Sequence, residues 1–213
     1  MEERAYNVSL EKNPRIVMRV IPGHFTASST HSNHYLDLSS LKSNALVARD
    51  VARELAIPYL SSTLVDTIVC MGRTEVIGAY LAEELLQSGQ SVVNEGHEIY
   101  VVTPITNDIG TMTFQSSMVK HISNRNVILM TTWVLSGRTL DRASDFLGYY
   151  GAKIAGISSL FMVNVEKPEQ KVNPLFTSDD IPDYRIYSPR KCDLCRSGLK
   201  LDAHTSSEGY TKL

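Results

Sequence analysis

One stretch of this 213-residue sequence outlines its architecture, Val127-Ile128-Leu129-Met130-Thr131-Thr132-Trp133-Val134-Leu135-Ser136-Gly137-Arg138-Thr139. The apolar residues at its start predict a buried strand over residues 127–131, and the polar turn after them leads into a helix that begins near Leu140. Backbone N–H groups in such a turn, and in the first turn of a helix, bind anions. Ser136 and Thr139 add hydroxyl donors. The stretch therefore predicts a phosphate site.

A second strand, loop and helix precede this stretch. Residues 65–70 predict a strand, the loop Met71-Gly72-Arg73-Thr74 follows, and residues 75–87 carry apolar side chains at helical spacing. A helix over residues 40–56, ended by Pro58, and a buried strand over 154–163 complete the alternation. Such alternation predicts an α/β fold, with a central parallel sheet flanked by helices and ligands bound beyond the carboxyl ends of its strands.

The two ends of the sequence differ from this core. Residues 14–37 predict short strands joined by a Ser/Thr-rich stretch, and residues 164–213 contain four prolines and little helical periodicity. We expect one domain, with a core over about 40–163 and a small cap built from about 1–39 and 164–213.

Composition excludes several classes of partner. The formal net charge of −2 leaves no basic footprint for nucleic acid. No apolar run approaches the roughly 18 residues of a membrane span, and the first residues lack the apolar core of a secretory signal. Three cysteines suit a reducing compartment better than a disulfide framework. We expect a soluble cytoplasmic protein that binds a small molecule, with no nucleic-acid or membrane partner.

Three segments together resemble the type I phosphoribosyltransferases. Residues 127–139 resemble the phosphoribosyl-pyrophosphate loop of that family, with Ser136, Gly137 and Thr139 in the phosphate-holding positions and Arg138 where a small residue is usual. Residues 68–78 resemble its pyrophosphate loop. Residues 25–37 are similar to the base-binding segment of the orotate phosphoribosyltransferases.

The resemblance implies a type I phosphoribosyltransferase fold, a phosphoribosyl ligand (phosphoribosyl pyrophosphate or a nucleoside monophosphate) and transfer of its phosphoribosyl group to a base. Magnesium would arrive on the phosphates of the substrate, and the family implies a homodimer. The implied contacts are Ser136, Gly137, Arg138 and Thr139 for the 5′-phosphate; Thr131 and Thr132 for the ribose; Met71, Gly72, Arg73 and Thr74 for the pyrophosphate; and Ser28, Ser29, His31 and Tyr35 for the base.

The sequence departs from the family where charge is expected. Thr131 and Thr132 replace the acidic pair that lies beneath the ribose, residues 92–113 contain no Lys or Arg, and Ala27 stands near the place of a lysine. Catalysis is therefore left open. The alternative is a non-catalytic protein of the same fold that senses a nucleotide or phosphoribosyl metabolite. A third hypothesis is a partner-binding domain with a collapsed loop.

The pair Cys192-Asp193-Leu194-Cys195 has the spacing of half a zinc site. A closed site needs four ligands, and His204 offers only a third. A turn containing two small buried thiols is favoured over structural zinc, and no other protein-bound metal is expected.

Overall fold

The computed structural model describes residues 1–27, 30–87, 93–106, 112–135, 137–164, 171–206 and 209–213. Along the chain, the helices and strands are β1 (Tyr6–Leu10), β2 (Asn13–Thr26), β3 (His31–Asp37), α1 (Ser39–Ser43), α2 (Ala45–Ala56), β4 (Thr67–Cys70), α3 (Glu75–Gln87), β5 (Tyr100–Val102), β6 (Ile105–Thr106), β7 (Met112–Thr113), α4 (Ser116–Val119), β8 (Asn126–Val134), α5 (Gly137–Tyr149), β9 (Lys153–Met162), β10 (Asn173–Thr177), β11 (Ile186–Tyr187), α6 (Asp193–Arg196), β12 (Ala203–Ser206) and β13 (Gly209–Lys212). Short 3-10 helices lie at Glu2–Arg4, Ser178–Asp180 and Pro189–Lys191.

These elements form two compact units. The core unit is Lys42–Thr177, and the terminal unit combines Met1–Leu41 with Ser178–Leu213. Within the described ranges, no helix has both the length and the apolar character needed to cross a bilayer.

The core unit is built on a five-stranded sheet in the order β10-β9-β8-β4-β5. Every neighbouring pair in it is parallel, which confirms the predicted α/β fold. Parallel pairing requires crossover connections, and α3 and α5 follow β4 and β8 directly. The loops after β4 and β8 therefore lie at the same edge of the sheet.

Helices cover both faces of this sheet. Gly78 of α3 lies so close to β4 that a Cβ added to it would be 2.4 Å from the Cys70 Sγ atom. Val69, whose side chain points to the opposite face, belongs to an apolar cluster with Leu140 and Leu147 of α5. The two helices thus pack against opposite faces of the sheet.

Several boundaries differ from the prediction. The expected single helix over 40–56 is two helices, because the Asn44 side chain accepts hydrogen bonds from the N–H groups of Leu46 and Val47 and so caps a new start. Strand β8 continues to Val134, paired with β9. The core unit extends to Thr177, beyond the expected boundary near 163, because β10 pairs with β9 despite containing Pro174, which as an edge-strand residue needs no ladder donor.

The terminal unit has a sheet of its own, in the order β11-β3-β2-β12-β13, and β1 also pairs with β2. Its long strand β2 pairs antiparallel with β1 and β3 and parallel with β12. Ile21, Phe25 and Ala203 form a buried cluster beneath Tyr35 and Tyr210. Residues from both ends of the sequence therefore share one sheet and one small core.

Candidate functional site

The candidate ligand site of the core unit lies where β4 and β8 end. The two strands pair in register from Thr67–Val127 to Cys70–Met130, and the Met71 N–H continues the ladder by donating to the Met130 carbonyl at 2.8 Å. The predicted pyrophosphate loop therefore begins beside the strand that leads into the predicted phosphate loop.

A hydroxyl fixes the turn at the tip of the pyrophosphate loop. Gly72 and Arg73 both have left-handed backbones, with φ of 73° and 65°. Thr132 Oγ1 donates to the Gly72 carbonyl at 2.6 Å. A Cβ on Gly72 would lie 2.6 Å from that same oxygen. Only glycine accommodates both the conformation and this close approach.

Thr74 supports the loop from below. Its side chain is fully buried, and its hydroxyl lies within hydrogen-bond distance of the Met71 carbonyl at 3.2 Å and the Met130 carbonyl at 3.4 Å. The hydroxyl is therefore engaged inside the loop.

One cation at this loop was not predicted from the sequence. Lys42 Nζ donates to the Gly72 carbonyl at 3.2 Å, and Arg73 is exposed at the tip. Lys42 lies 30 residues before the loop, so only the tertiary structure brings the two together. Two cations, Lys42 and Arg73, therefore lie at the loop that follows β4.

Thr131 and Thr132 both lie inside β8. The predicted strand ended at residue 131, which would have placed Thr132 in a loop. Both are buried, at 7% and 1% exposure. Thr131 sits opposite Ser159 of β9, a residue whose buried hydroxyl has no hydrogen-bond partner within the described part of the chain. This stretch is therefore neutral and rich in hydroxyls.

The predicted phosphate loop is described only in part. Helix α5 begins at Gly137, three residues earlier than expected, and runs for 13 residues. Ser136 lies outside the described residues, as do the side chains of Arg138 and Thr139. The backbone nevertheless places the open N–H groups of a long helix directly after β8, the arrangement that favours an anion.

The predicted base-binding residues belong to the terminal unit. Ser28 and Ser29 lie outside the described residues. The Tyr35 ring packs against Phe25 and Tyr210, with ring centres 5.9 Å and 5.1 Å away, and burial raises the pKa of its phenol to about 12. Tyr35 is therefore a neutral hydroxyl on an aromatic cluster.

His31, the fourth predicted base contact, belongs to a cluster that was not predicted from the sequence. His24, His31, Cys192 and Cys195 bring their ligand atoms within 4.8 Å of one another. His204, suggested as a third ligand beside the cysteines, is exposed on β12 and lies outside this cluster. His24 went unnoticed because it lies 168 residues from Cys192. The only signal in the sequence was a second histidine seven residues after it.

Comparison with known proteins agrees with this architecture. No family model matches the sequence. The orotate phosphoribosyltransferase of Wolinella succinogenes is 25% identical over 206 residues, which cover 91% of this chain and 94% of that protein.

Solved structures show the same fold. The Leishmania donovani UMP synthase matches 75% of this chain with a TM-score of 0.55 and 18% identity, and this chain spans 34% of that longer protein. The Mycobacterium tuberculosis orotate phosphoribosyltransferase matches 76% of this chain and 91% of its own, with a TM-score of 0.52 and 12% identity. The chain therefore has the phosphoribosyltransferase fold, and its sequence is similar to that of an orotate phosphoribosyltransferase over most of both proteins.

Proposed function

We propose that the carboxyl edge of the core sheet binds a phosphoribosyl ligand, either phosphoribosyl pyrophosphate or a nucleoside monophosphate. The observation that carries this proposal is the pair of adjacent strand ends. The Gly72 loop follows β4, and the start of α5 follows β8. Two anion-binding backbones side by side suit a ligand with phosphates at both ends of a ribose.

The roles follow from position. The start of α5, with Ser136, Gly137, Arg138 and Thr139, would hold the 5′-phosphate. The loop Met71-Gly72-Arg73-Thr74, with Lys42 behind it, would face the pyrophosphate. Thr131 and Thr132 would lie near the ribose. The strand ends offer hydroxyls where a protein-held magnesium ion would need carboxylates, so Mg²⁺ would be brought by the diphosphate itself.

The activity implied by homology is transfer of the phosphoribosyl group between pyrophosphate and a base. A homodimer and a cytoplasmic location are further expectations from the family.

A second function, sensing without catalysis, is favoured by the neutral strand end. Transfer passes through a positively charged ribose, and preorganised charge is usually the largest catalytic contribution. Thr131 and Thr132 supply no negative charge, and the Thr132 hydroxyl is committed to the Gly72 carbonyl.

Ligand binding is tested by thermal unfolding with phosphoribosyl pyrophosphate, with and without Mg²⁺, and with orotidine monophosphate. A ligand at a hundred times its Kd adds about 2.7 kcal/mol, which raises the Tm by about 5–10 °C for a chain of this size. An unchanged Tm with every one of these ligands would contradict the proposal.

The Lys42→Met variant tests the pyrophosphate half of the site independently of the 5′-phosphate half. We expect this variant to bind phosphoribosyl pyrophosphate about tenfold more weakly, since it loses a cation at the diphosphate loop, and to bind orotidine monophosphate unchanged. Lys153→Met is the matched control, because Lys153 begins β9 at the opposite edge of the same sheet. Equal losses in both variants, or for both ligands, would argue against the assigned roles.

Transfer and sensing are then distinguished by pyrophosphate release in the presence of phosphoribosyl pyrophosphate, Mg²⁺ and orotate. Release by the natural sequence establishes transfer. Saturable binding without release establishes a sensor, and Thr131→Asp, which spares the Thr132 hydroxyl, then asks whether one restored carboxylate returns turnover.

A further inference from the structure

We propose that His24, His31, Cys192 and Cys195 of the terminal unit bind one structural Zn²⁺ ion. The ligands come from four places in the fold: His24 from β2, His31 from the first position of β3, Cys192 from the residue before α6, and Cys195 from within α6. Two imidazoles and two thiols are a donor set that selects zinc over the harder divalent cations.

The distances between these ligand atoms match the edges of a zinc tetrahedron. With Zn–N of about 2.05 Å and Zn–S of about 2.3 Å, the ligand atoms of an ideal site lie about 3.3 Å apart for two nitrogens and about 3.6 Å apart for nitrogen and sulfur. His24 Nε2 lies 3.1 Å from His31 Nδ1 and 3.5 Å and 3.6 Å from the sulfurs of Cys192 and Cys195. Cys195 Sγ lies 3.4 Å from His31 Nδ1. Four of the six edges therefore have the required length.

Hydrogen bonds fix the ring tautomer and the backbone of His24 as a metal ligand requires. Its Nδ1 lies 2.8 Å from the Leu199 carbonyl, which only accepts, so Nδ1 carries the proton and Nε2 turns a lone pair toward the cluster. Asp202 holds the His24 backbone on both sides. The carboxylate of Asp202 accepts the His24 N–H at 2.9 Å, and the Asp202 N–H donates to the His24 carbonyl at 2.7 Å.

Charge and burial favour a bound cation. His24, His31 and Cys192 are buried, at 0%, 9% and 1% exposure. His24 Nε2 lies within 3.6 Å of the three other ligand atoms. One Zn²⁺ accepts all four lone pairs. Two thiolates balance its charge, so the buried site is neutral, and the two thiol protons pass to solvent.

The ion would join distant parts of the sequence. It links the β2–β3 hairpin to the α6 segment, and His31 and Cys195 are 164 positions apart in the sequence. Because the ligands are assembled only when the terminal unit is folded, the free energy of metal binding adds to the stability of that unit.

The first test is metal content and removal in the full chain, purified without added metal or chelator. We expect one zinc per chain by inductively coupled plasma mass spectrometry. Release should require a chelator, and it should lower the Tm and expose both Cys192 and Cys195 to alkylation. Cobalt substitution should give the absorption of a tetrahedral site with sulfur-to-cobalt charge transfer, a readout that does not depend on stability.

Variants locate the site. Cys195→Ser, at the exposed corner of the cluster, and His31→Ala should each lose zinc and the charge-transfer intensity expected of two thiolates. His204→Ala is the matched control, since it removes an exposed histidine of the same unit that lies outside the cluster, and it should keep one zinc. Should a variant fail to fold, cobalt titration of the natural sequence decides alone. Absence of stoichiometric zinc and of cobalt uptake would overturn the proposal, as would a Cys192–Cys195 disulfide under reducing conditions.

Discussion

At the scale of single residues, Gly72 meets three structural requirements of the candidate site. Its backbone is left-handed, and its carbonyl accepts from both Thr132 and Lys42. The absence of its Cβ leaves room for the Thr132 hydroxyl. The shape of the pyrophosphate loop therefore depends on one position without a side chain.

We predict that Gly72→Ala destabilises the core unit by roughly 2–5 kcal/mol, combining about 1–2 kcal/mol for a left-handed alanine with about 1–3 kcal/mol for the clash with Thr132. Gly96→Ala is the matched control, because Gly96 has φ of 72° and open space around its Cβ position. It should cost only the backbone contribution. Urea unfolding followed by the fluorescence of Trp133, the single tryptophan, reports on this unit. Equal losses in the two variants would show that the contact with Thr132 carries no energy.

At the scale of elements, α3 packs against the sheet through Gly78. Glycine within a helix is normally a weakness, and replacing it with alanine stabilises a helix by about 0.5–1 kcal/mol. Here the helix lies against β4, and the missing side chain is what permits contact with Ile68 and Cys70.

We therefore predict opposite signs for the same substitution in two helices. Gly78→Ala should destabilise the core unit by about 1–3 kcal/mol through overpacking. Gly148→Ala, on an open face of α5 with nothing near its Cβ position, should stabilise the same unit by about 0.5–1 kcal/mol. The midpoint of urea unfolding, read by Trp133 fluorescence, measures both. A stabilising Gly78→Ala would mean that α3 shifts freely on the sheet.

Elements were predicted best where hydrophobic periodicity is strong. The strand over residues 67–70 and α3 follow from local pattern, and α3 has the expected bounds. The extension of β8 through Thr132 was missed because its hydroxyl residues read locally as a turn, whereas β-branched threonines pair well inside a sheet. The histidine–cysteine cluster was missed because its members are far apart in sequence, so no window along the chain contains them together.

At the scale of the whole molecule, Glu2 connects the N-terminal segment to β2 and to β13, which come from opposite ends of the sequence. Its carboxylate accepts hydrogen bonds from the Tyr210 hydroxyl on β13 and from Arg19 on β2, the latter at 2.5 Å. The hydrogen bond from Tyr210, followed by that from Arg19, holds the pKa of Glu2 below its ordinary value of 4.5.

This shift predicts a pH dependence. A carboxyl group whose pKa is lower in the folded state stabilises that state above its unfolded pKa, and the contribution is lost as pH falls through the folded value. Glu2→Gln should therefore reduce the protection of β1 and β2 amides against hydrogen exchange at pH 6, and the difference from the natural sequence should vanish at acid pH. Glu3→Gln, at an exposed neighbour, is the control. A difference that persists unchanged into acid would contradict the assignment.

The order of the two units along the chain has a mechanical consequence. Residues 42–177 are inserted between the two segments of the terminal unit. A pull on Met1 and Leu213 reaches the parallel sheet only through strands of the terminal unit, in which β2 and β12 are paired with each other. Under load, this pairing must break before tension enters the inserted segment. The pairing of β2 with β12 thus shields the Gly72 loop and the start of α5 from force.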